Sequence, residues 1–165
     1  MISEAQEGQL TALLDESACR SLLERYTYTL DWLNWSNFEA LFWQDATFDY
    51  PFYQGDRAGF MTCVAALEEP FLRRLHMFAA PRIELLGATR ARIEAGAVIH
   101  LRSATTDEVG TDVLAMVRYQ FHAEKREEEW RLSMGRAMAH GSYSFAGDSA
   151  GTADNLTTTH PWFAQ

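Results

Sequence analysis

Residues 42–52 read FWQDATFDYPF, and the spacing of their apolar side chains changes halfway along this stretch. A helical pattern ends near Phe42. Beyond it, Phe48, Tyr50 and Phe52 alternate with polar residues and a proline, as in a β-strand with one buried face. Three aromatic rings on one face of a strand serve either a core or the wall of a pocket for an aromatic-sized substrate. The sequence leaves both interpretations open.

Three helices are predicted around this strand. The first is predicted from apolar residues at spacings of three and four, which are Cys19, Leu22, Leu23, Tyr26, Leu30 and Leu33. Its N-cap is expected at Asp15 or Ser17, after a lead-in over residues 1–14. The second helix is expected to begin at Ser36, which opens a capping box, and the third to begin after Asp56.

The second half of the chain has the pattern of an antiparallel sheet. Four strands are predicted, over residues 75–85, 89–103, 111–122 and 129–140. The short polar connections between them favour antiparallel neighbours. In the first of these strands, His76 and Phe78 occupy even positions, whereas Ile83 and Leu85 occupy odd ones. A bulge near Pro81 is therefore expected, since only a bulge turns both apolar pairs to the same face.

These elements predict an α+β domain in which three helices pack on one face of a curved sheet, because only there can their apolar stripes be buried. A curved sheet folded over helices encloses a conical hollow, where ligands usually bind. One domain is expected over residues 1–144. A C-terminal tail is expected over residues 145–165, and it could pack back on the domain through Trp162 and Phe163.

The composition argues against several partners. The chain carries 23 acidic and 14 basic residues, a formal net charge of -9, so it repels nucleic acid and anionic membranes. Neither a signal peptide nor an apolar stretch long enough to span a bilayer is recognisable, which predicts a cytoplasmic protein. The five histidines lack metal-ligand spacing, and no nucleotide-binding motif is present, so neither a metal nor a cofactor is expected.

Three segments resemble SnoaL-like members of the nuclear transport factor 2-like superfamily. They are LLERYTYTLDWLNWSNFEALFWQDATFDY (22–50), LHMFAAPRIELLG (75–87) and EWRLSMGRA (129–137). The resemblance covers roughly residues 17–140 and depends on the order and spacing of these segments. It implies a cone-shaped, mixed and largely antiparallel sheet wrapped over three N-terminal helices, the cystatin-like roll. The superfamily includes enzymes and binding modules, so the fold alone does not indicate which reaction the protein catalyses.

Within this superfamily the chain is most similar to dehydratases of the scytalone and bile-acid type. The similarity implies a catalytic set of Asp31, Tyr50 and His76. It also implies substrate-binding side chains at Tyr28, Phe48, Phe52, Phe78 and His100. The expected activity is dehydration, isomerisation or cyclisation of a cyclic or polycyclic hydroxy-ketone by acid–base proton transfer, without a cofactor. Superfamily members are commonly dimers or trimers, so a homo-oligomer is expected.

These assignments have structural alternatives in the sequence. A helical wheel places Asp31 on the flank of the apolar stripe, which favours a solvated carboxylate. His76 could be a core histidine that donates to a backbone carbonyl, and Tyr50 could be a core residue. His100 falls on the charged face of its strand unless Gly96 forms a bulge.

Two other functions remain open. The cone could be an apolar receptacle or an assembly module without catalysis, which is expected if aromatic and methionine side chains fill it. The protein could also be the small subunit of a ring-hydroxylating oxygenase, which requires a partner chain.

Overall fold

The computed structural model of the protein describes residues 2–103 and 110–147. Within them the chain forms three helices and seven strands. In chain order these are α1 (Glu4–Asp31), α2 (Trp35–Glu39), β1 (Phe42–Tyr50), β2 (Tyr53–Asp56), α3 (Arg57–Glu68), β3 (Phe71–Phe78), β4 (Arg82–Leu85), β5 (Arg90–Ser103), β6 (Gly110–Arg126) and β7 (Glu129–Gly147). No helix in these residues is both long and apolar enough to cross a lipid bilayer.

The strands form one mixed sheet in the order β2-β1-β7-β6-β5-β3, and β4 pairs with the same edge of β5 as β3 does. β1 and β7 run parallel, whereas the other pairings are antiparallel. β2 and β3 end the sheet, which is curved and does not close. The order of the elements and this mixed sheet confirm the predicted α+β fold.

Helix α1 begins at Glu4, well before the expected N-cap. Ser3 caps it in a capping box: the Gln6 amide donates to the Ser3 hydroxyl (3.3 Å), and the Ser3 amide donates to the Gln6 side chain (2.8 Å). Residues 4–14 are all exposed, so they lack the apolar stripe by which a helix is recognised in sequence. The lead-in expected over residues 1–14 is therefore largely helical.

Helix α3 begins where the sequence predicts. The Asp56 side chain accepts a hydrogen bond from the Gly59 amide (2.9 Å), which satisfies one of the free amides of the first turn. Helix α2 begins at Trp35, one residue before the expected start at Ser36. Asn34 is its N-cap and replaces the capping box that the sequence suggests.

A break at residues 79–81 separates β3 from β4 and confirms the expected bulge. Phe78 lies opposite Ala97 of β5, and Ile83 lies opposite Ile93. Five steps along β3 and β4 therefore correspond to four steps along β5, so the break accommodates one extra residue. As a result, Phe78 and Ile83 both pack against the core although their positions differ in parity.

Aromatic rings fill the space between the helices and the sheet. The buried rings there are Tyr26, Phe38, Phe42, Phe48, Tyr50, Phe60, Tyr119 and Phe121. Phe48 stacks on Phe60 at a centroid distance of 3.8 Å, and the Tyr50 ring lies 4.9 Å from that of Phe60. Phe48 and Tyr50 are thus packed in the core, and full burial of such a ring contributes about 2–3 kcal/mol. Phe52 is 41% exposed and lies at the rim of this aromatic core.

Strand β7 extends to Gly147, past the end of the domain expected at residue 144. Trp162 and Phe163, which are expected to pack the tail against the domain, lie outside the described residues. The packing of this tail stays a prediction.

Candidate active site

The end of helix α1 meets the edge strand β3 through one carboxylate and one histidine. Asp31 is the last residue of α1, and His76 lies within β3. Oδ1 of Asp31 is 2.7 Å from Nδ1 of the His76 ring. The backbone amide of His76 also donates to both carboxylate oxygens of Asp31, at 3.1 and 3.0 Å. One carboxylate therefore holds both the ring and the backbone of His76.

Both side chains are largely withdrawn from solvent. The His76 side chain is 4% exposed and that of Asp31 is 13% exposed. His76 lies opposite Ile99 of β5, which is on the buried face of the sheet. Asp31 is on the flank of the apolar stripe of α1, as the helical wheel predicts, but this flank contacts β3. A solvated carboxylate is therefore not a correct description of Asp31.

The hydrogen bond assigns the tautomer of the neutral His76 ring. An ionised carboxylate only accepts hydrogen bonds, so the proton shared between the Asp31 carboxylate and the ring is carried by Nδ1. The lone pair of the ring is then on Nε2. A carboxylate in this position also stabilises the imidazolium that forms when Nε2 takes a proton. The pair has the arrangement of a general base and the carboxylate that orients it.

Three buried tyrosines form one group, and two of them contact Phe78, which lies two residues along β3 from His76. The hydroxyls of Tyr26 and Tyr50 are 3.2 Å apart. The Phe78 ring lies 5.8 Å from that of Tyr26 and 5.1 Å from that of Tyr119. Burial raises the pKa of Tyr26, Tyr50 and Tyr119 well above the ordinary value, so all three hydroxyls keep their protons at neutral pH.

A second carboxylate, that of Glu68, is buried at the end of helix α3 and is 4% exposed. Its Oε2 atom accepts a hydrogen bond from Nε of Arg74 at 3.1 Å. Arg74 also donates to the backbone carbonyls of Glu68 and Phe71. Burial raises the pKa of the Glu68 carboxyl, the charges of His76 and Arg74 oppose that rise, and Asp31 adds to it.

A groove of about 310 Å³ opens between helix α1 and the break that separates β3 from β4. Leu23 and Thr27 form its α1 side, and Phe78 and Pro81 form its strand side. Thr27 is one helical turn before Asp31, so the groove lies beside the Asp31–His76 pair and not on it. Its volume is at the lower end of the range for small-molecule sites.

The side chains gathered here are suited to proton transfer. His76 provides a base with its lone pair on Nε2, Asp31 orients that base, and the tyrosine hydroxyls provide neutral hydrogen-bond donors. Within residues 2–103 and 110–147, no three His, Cys, Asp or Glu side chains are placed to hold a metal ion.

A sequence profile of the SnoaL-like domain matches residues 11–134. The chain belongs to the SnoaL-like family. The matched region extends from α1 into β7 and includes both Asp31 and His76. A comparison with curated protein sequences finds no significant match.

Solved structures with the same fold include one candidate enzyme and one protein named as an enzyme. A candidate scytalone dehydratase of Novosphingobium aromaticivorans is 18% identical, with a TM-score of 0.74 over 88% of this chain and 99% of that chain. Hexachlorocyclohexane dehydrochlorinase LinA-type3 of Novosphingobium barchaimii is 15% identical, with a TM-score of 0.75 over 84% of this chain and 95% of that chain. A cystatin-like protein of unknown function from Nostoc punctiforme is 17% identical, with a TM-score of 0.62 over 76% and 91% of the two chains. These likenesses place the SnoaL-like chain in the nuclear transport factor 2-like, cystatin-like fold.

The SnoaL-like fold places His100 away from the candidate site. β5 pairs with β6 without a bulge at Gly96, so the change of register that would turn His100 inward does not occur. His100 lies opposite Leu75 of β3, on the face of the sheet opposite to that of His76. Its Nε2 atom is 2.8 Å from a carboxylate oxygen of Asp112. His100 therefore does not line the cone, and its expected role in substrate binding is corrected.

Tyr28 is also directed away from the cone. Helix α1 turns by about 100° per residue, so Tyr28 points about 200° away from the buried Tyr26. Tyr28 is 37% exposed, which does not agree with a place in the substrate pocket. Of the other expected substrate-binding rings, Phe78 packs among the tyrosines, whereas Phe52 lies at the edge of the core, with its ring 5.4 Å from that of Tyr50 and 6.4 Å from that of Phe60.

Three residues of the candidate site were not recognised from the sequence of this SnoaL-like chain. The sequence places Tyr26 on the apolar stripe of α1 and indicates no role for its hydroxyl. Glu68 follows Phe60 and Val64 at spacings of four, so the buried stripe of α3 does indicate its position. Tyr119 occupies an inward position of β6, and nothing in its own segment distinguishes it from a core residue.

Proposed function

We propose that this SnoaL-like protein is a cofactor-independent lyase or isomerase that transfers protons on a cyclic hydroxy-ketone. The observation that carries the proposal is the Asp31–His76 pair, in which one carboxylate orients the ring and leaves Nε2 as the basic atom. A shared fold does not set an activity, so support for catalysis comes from this pair.

The proposed reaction begins with removal of a proton from the carbon next to the substrate carbonyl. Nε2 of His76 takes the proton, and the C–H electron pair moves toward the carbonyl to form an enolate. When the enolate collapses, a hydroxyl on the neighbouring carbon accepts the proton from His76 and leaves as water. Asp31 stays ionised throughout and stabilises the transient imidazolium. Acid–base help of this kind contributes typically about 10²–10⁴-fold to a rate.

A tyrosine hydroxyl supplies the donor for the enolate oxygen. The hydroxyls of Tyr26 and Tyr50 are 3.2 Å apart, so the hydrogen of one is used between them and the hydrogen of the other is free to point toward a substrate. Both hydroxyls keep their protons at neutral pH because burial raises their pKa. A donor that is already in place when charge develops is worth more than one in water.

The structural neighbours support an elimination. The names of two of them, a candidate scytalone dehydratase and a hexachlorocyclohexane dehydrochlorinase, denote the removal of water and of hydrogen chloride. The groove between α1 and the β3–β4 break supports a small substrate with both apolar and polar groups, because Leu23, Phe78 and Pro81 line it together with Arg20 and Glu24. A ring-shaped ketone could lie in this groove with its reactive carbon toward the Asp31–His76 pair.

The proposal is tested with a panel of cyclic β-hydroxy-ketones in D₂O. NMR follows the exchange of the hydrogen next to the carbonyl and the loss of water. Wild-type protein is expected to accelerate exchange for at least one ketone, and His76→Gln and Asp31→Asn are expected to lose about 10²–10⁴-fold of that rate. His122→Gln is the matched control, since His122 is exposed on β6. If no ketone exchanges faster with wild type than with His76→Gln, the enzymatic proposal is overturned.

A non-catalytic binding or assembly module is the second candidate, because aromatic rings occupy the conical hollow. The Tyr26 ring has four buried rings within 6.2 Å, those of Phe38, Phe42, Tyr119 and Phe121. A filled hollow leaves less room for a substrate. If the protein is such a module, ketones should shift protein NMR signals without exchange of the hydrogen next to the carbonyl and without loss of water.

A homo-oligomer stays part of the proposal, as a dimer or trimer. The outer face of the sheet carries four exposed apolar side chains, which we call the outer patch: Leu75, Met77, Tyr143 and Phe145. None of them is charged, so two copies of an acidic chain can approach through this surface. The cytoplasmic location stays a prediction.

A further inference from the structure

The buried ion pair between Glu68 and Arg74 is close to the candidate base and has no part in the reaction described above. We propose that Glu68 is a positioning residue that stabilises the protonated ring of His76, because it supplies the buried negative charge that balances the imidazolium. The proposal rests on the proposed function of His76 as the proton acceptor, and it adds a second carboxylate to that function.

Strand β3 brings Arg74 and His76 together on its inner face. They lie opposite Leu101 and Ile99 of β5, and two residues along a strand are about 7 Å apart. Nε of Arg74 is 3.1 Å from Oε2 of Glu68. The Glu68 carboxylate is therefore bound to the residue that lies two positions before His76 on the same face of β3.

Helix α3 places Glu68 next to Arg74. Phe60, Val64 and Glu68 form its buried stripe, and Glu68 is the last residue of the helix. The side chains of Arg74 and Glu68 are 9% and 5% exposed. Solvent screens buried charges less than surface charges, so the Glu68 carboxylate acts on its neighbours more strongly than an exposed carboxylate would.

Asp31, Glu68, Arg74 and His76 form a buried charge cluster. Its net charge is zero only when the His76 ring is protonated. Asp31 and Glu68 each carry a negative charge, and Arg74 carries a positive one. With a neutral His76 the cluster has one excess negative charge, and proton uptake at Nε2 makes it neutral. Without the charge of Glu68, proton uptake would instead leave an uncompensated positive charge in a buried place, which is costly.

Among the described residues, the buried tyrosines of the neighbouring elements add no charge. They are Tyr26 from α1, Tyr50 from β1 and Tyr119 from β6, and all three are neutral at neutral pH. The direction of one further effect agrees with this coupling: burial raises the pKa of the Glu68 carboxyl, and the charges of His76 and Arg74 lower it.

A purely structural ion pair is the alternative. Arg74 also donates to the carbonyls of Glu68 and Phe71, so it fixes the turn between α3 and β3. A structural role predicts that removing either partner lowers the melting temperature. It predicts no change in the protonation of His76.

The test uses the ligand-free full chain and the NMR signals of the His76 ring. Glu68→Gln keeps the size of the side chain and removes its charge. We expect the pH at which the His76 signals are half shifted to fall by about one unit in this variant. Asp15→Asn is the matched control, because Asp15 is also buried, at 8% exposed, and also ion-paired, with Lys125 at 3.3 Å. It should leave the His76 signals unchanged.

A second pair of variants separates charge from structure. In Glu68→Met/Arg74→Met one negative and one positive charge are lost together, so the net charge around His76 is the same as in wild type. The His76 signals should therefore titrate as in wild type. Apolar replacement of a whole buried ion pair is usually tolerated. Glu68→Met repeats the single charge removal if Glu68→Gln does not fold. His76 signals that titrate alike in wild type and in the folded single variants overturn the proposal.

The outcome also separates this proposal from the proposed function. The titration needs no substrate, so a shifted titration without turnover of any ketone supports Glu68 and rejects the enzymatic activity. If a ketone is turned over, the acid limb of the kcat/KM profile should move down by about one pH unit in Glu68→Gln, with little change in KM. Turnover with an unmoved profile and unmoved ring signals rejects the proposal for Glu68 and leaves the enzyme in place.

Discussion

Asp31 binds His76 twice, through the backbone amide of that residue and through its ring. The two residues are 45 positions apart in the chain, so the carboxylate joins the end of α1 to the middle of β3. The position of the strand and the orientation of the candidate base therefore depend on the same side chain.

The ring tautomer of His76 should change in Asp31→Asn. Asparagine has the shape of aspartate, but its amide group can donate to Nδ1 and so move the ring proton to Nε2. Nitrogen-15 NMR of the imidazole reports which ring nitrogen carries the proton. Asp112→Asn is the control, since Asp112 binds the other paired histidine, His100, on the outer face. An unchanged nitrogen-15 pattern for His76 in Asp31→Asn would argue against the assigned tautomer.

The two phenol groups at the centre of the core should be energetically coupled. Tyr26→Phe and Tyr50→Phe each remove one partner of a buried hydrogen bond, which costs about 1–3 kcal/mol of unfolding free energy. The double variant Tyr26→Phe/Tyr50→Phe should cost less than the sum, since no partner is left behind. Urea unfolding of the four proteins measures this. Additive costs would show that the two hydroxyls do not interact.

The aromatic core should be sensitive at Phe60 and tolerant at Phe52. Phe60 is fully buried and stacks on Phe48, so Phe60→Ala should lower the unfolding free energy by about 3–5 kcal/mol. Phe52 is 41% exposed, so Phe52→Ala should lower it by about 1 kcal/mol. Urea unfolding compares the two variants with wild type. Equal losses would contradict the rim position of Phe52.

The fold should lose stability in alkali. Burial raises the pKa of Tyr26, Tyr50 and Tyr119 well above the ordinary tyrosine value of 10.0. Above about pH 10 the unfolded chain releases these protons and the folded chain keeps them, so rising pH favours unfolding. Each buried tyrosine contributes a slope of about 1.4 kcal/mol per pH unit in that window, and none of this loss occurs below about pH 9. Urea unfolding across pH 8 to 11 (roughly this window) measures the slope.

Removal of one of these tyrosines gives the control for the alkaline effect. Tyr119→Phe should reduce the slope by about one third, because one of three buried ionisable phenols is gone. A slope that stays the same in Tyr119→Phe would assign the alkaline unfolding to other groups.

A homo-oligomer that uses the outer patch should dissociate when the patch is charged. Tyr143 is 64% exposed on β7, and Tyr143→Glu would place like charges on both copies. Light scattering after size exclusion gives the mass of each protein. Leu86→Glu is the control, because Leu86 is also exposed, at 41%, but lies in the turn after β4. A wild-type chain that elutes as a monomer would show that the expected oligomer does not form.

Much of the fold follows from local patterns. The alternation of apolar residues predicts β5, and the Asp56 cap predicts the start of α3. Both predictions agree closely with the bounds in the structure. The change of parity between Phe78 and Ile83 gives the bulge between β3 and β4. The start of α1 is different, because its first three turns have no buried face and are specified only by the Ser3 capping box.

The candidate site follows from the sequence only in part, because tertiary contacts assemble it. The family resemblance selects Asp31 and His76, whereas the helical wheel of α1 alone suggests a solvated aspartate. Glu68 is harder still: its spacing from Phe60 and Val64 places it on the buried stripe of α3, but a carboxylate is normally exposed, and its partner Arg74 of β3 is brought to it only by the fold. His100 has the residue type of a ligand but the wrong register, and register is decided across the whole sheet.

The position of β3 gives the Asp31 carboxylate a further consequence. β3 ends the sheet, and an edge strand offers unpaired amides to which a strand of another molecule can bind. The amide of His76 is protected from such pairing, because Asp31 already accepts its hydrogen bond. Asp31→Ala should therefore aggregate faster on mild heating than His76→Ala, in which the amide keeps its partner. The same aspartate that orients the candidate base would thus also protect this edge of the sheet from aggregation.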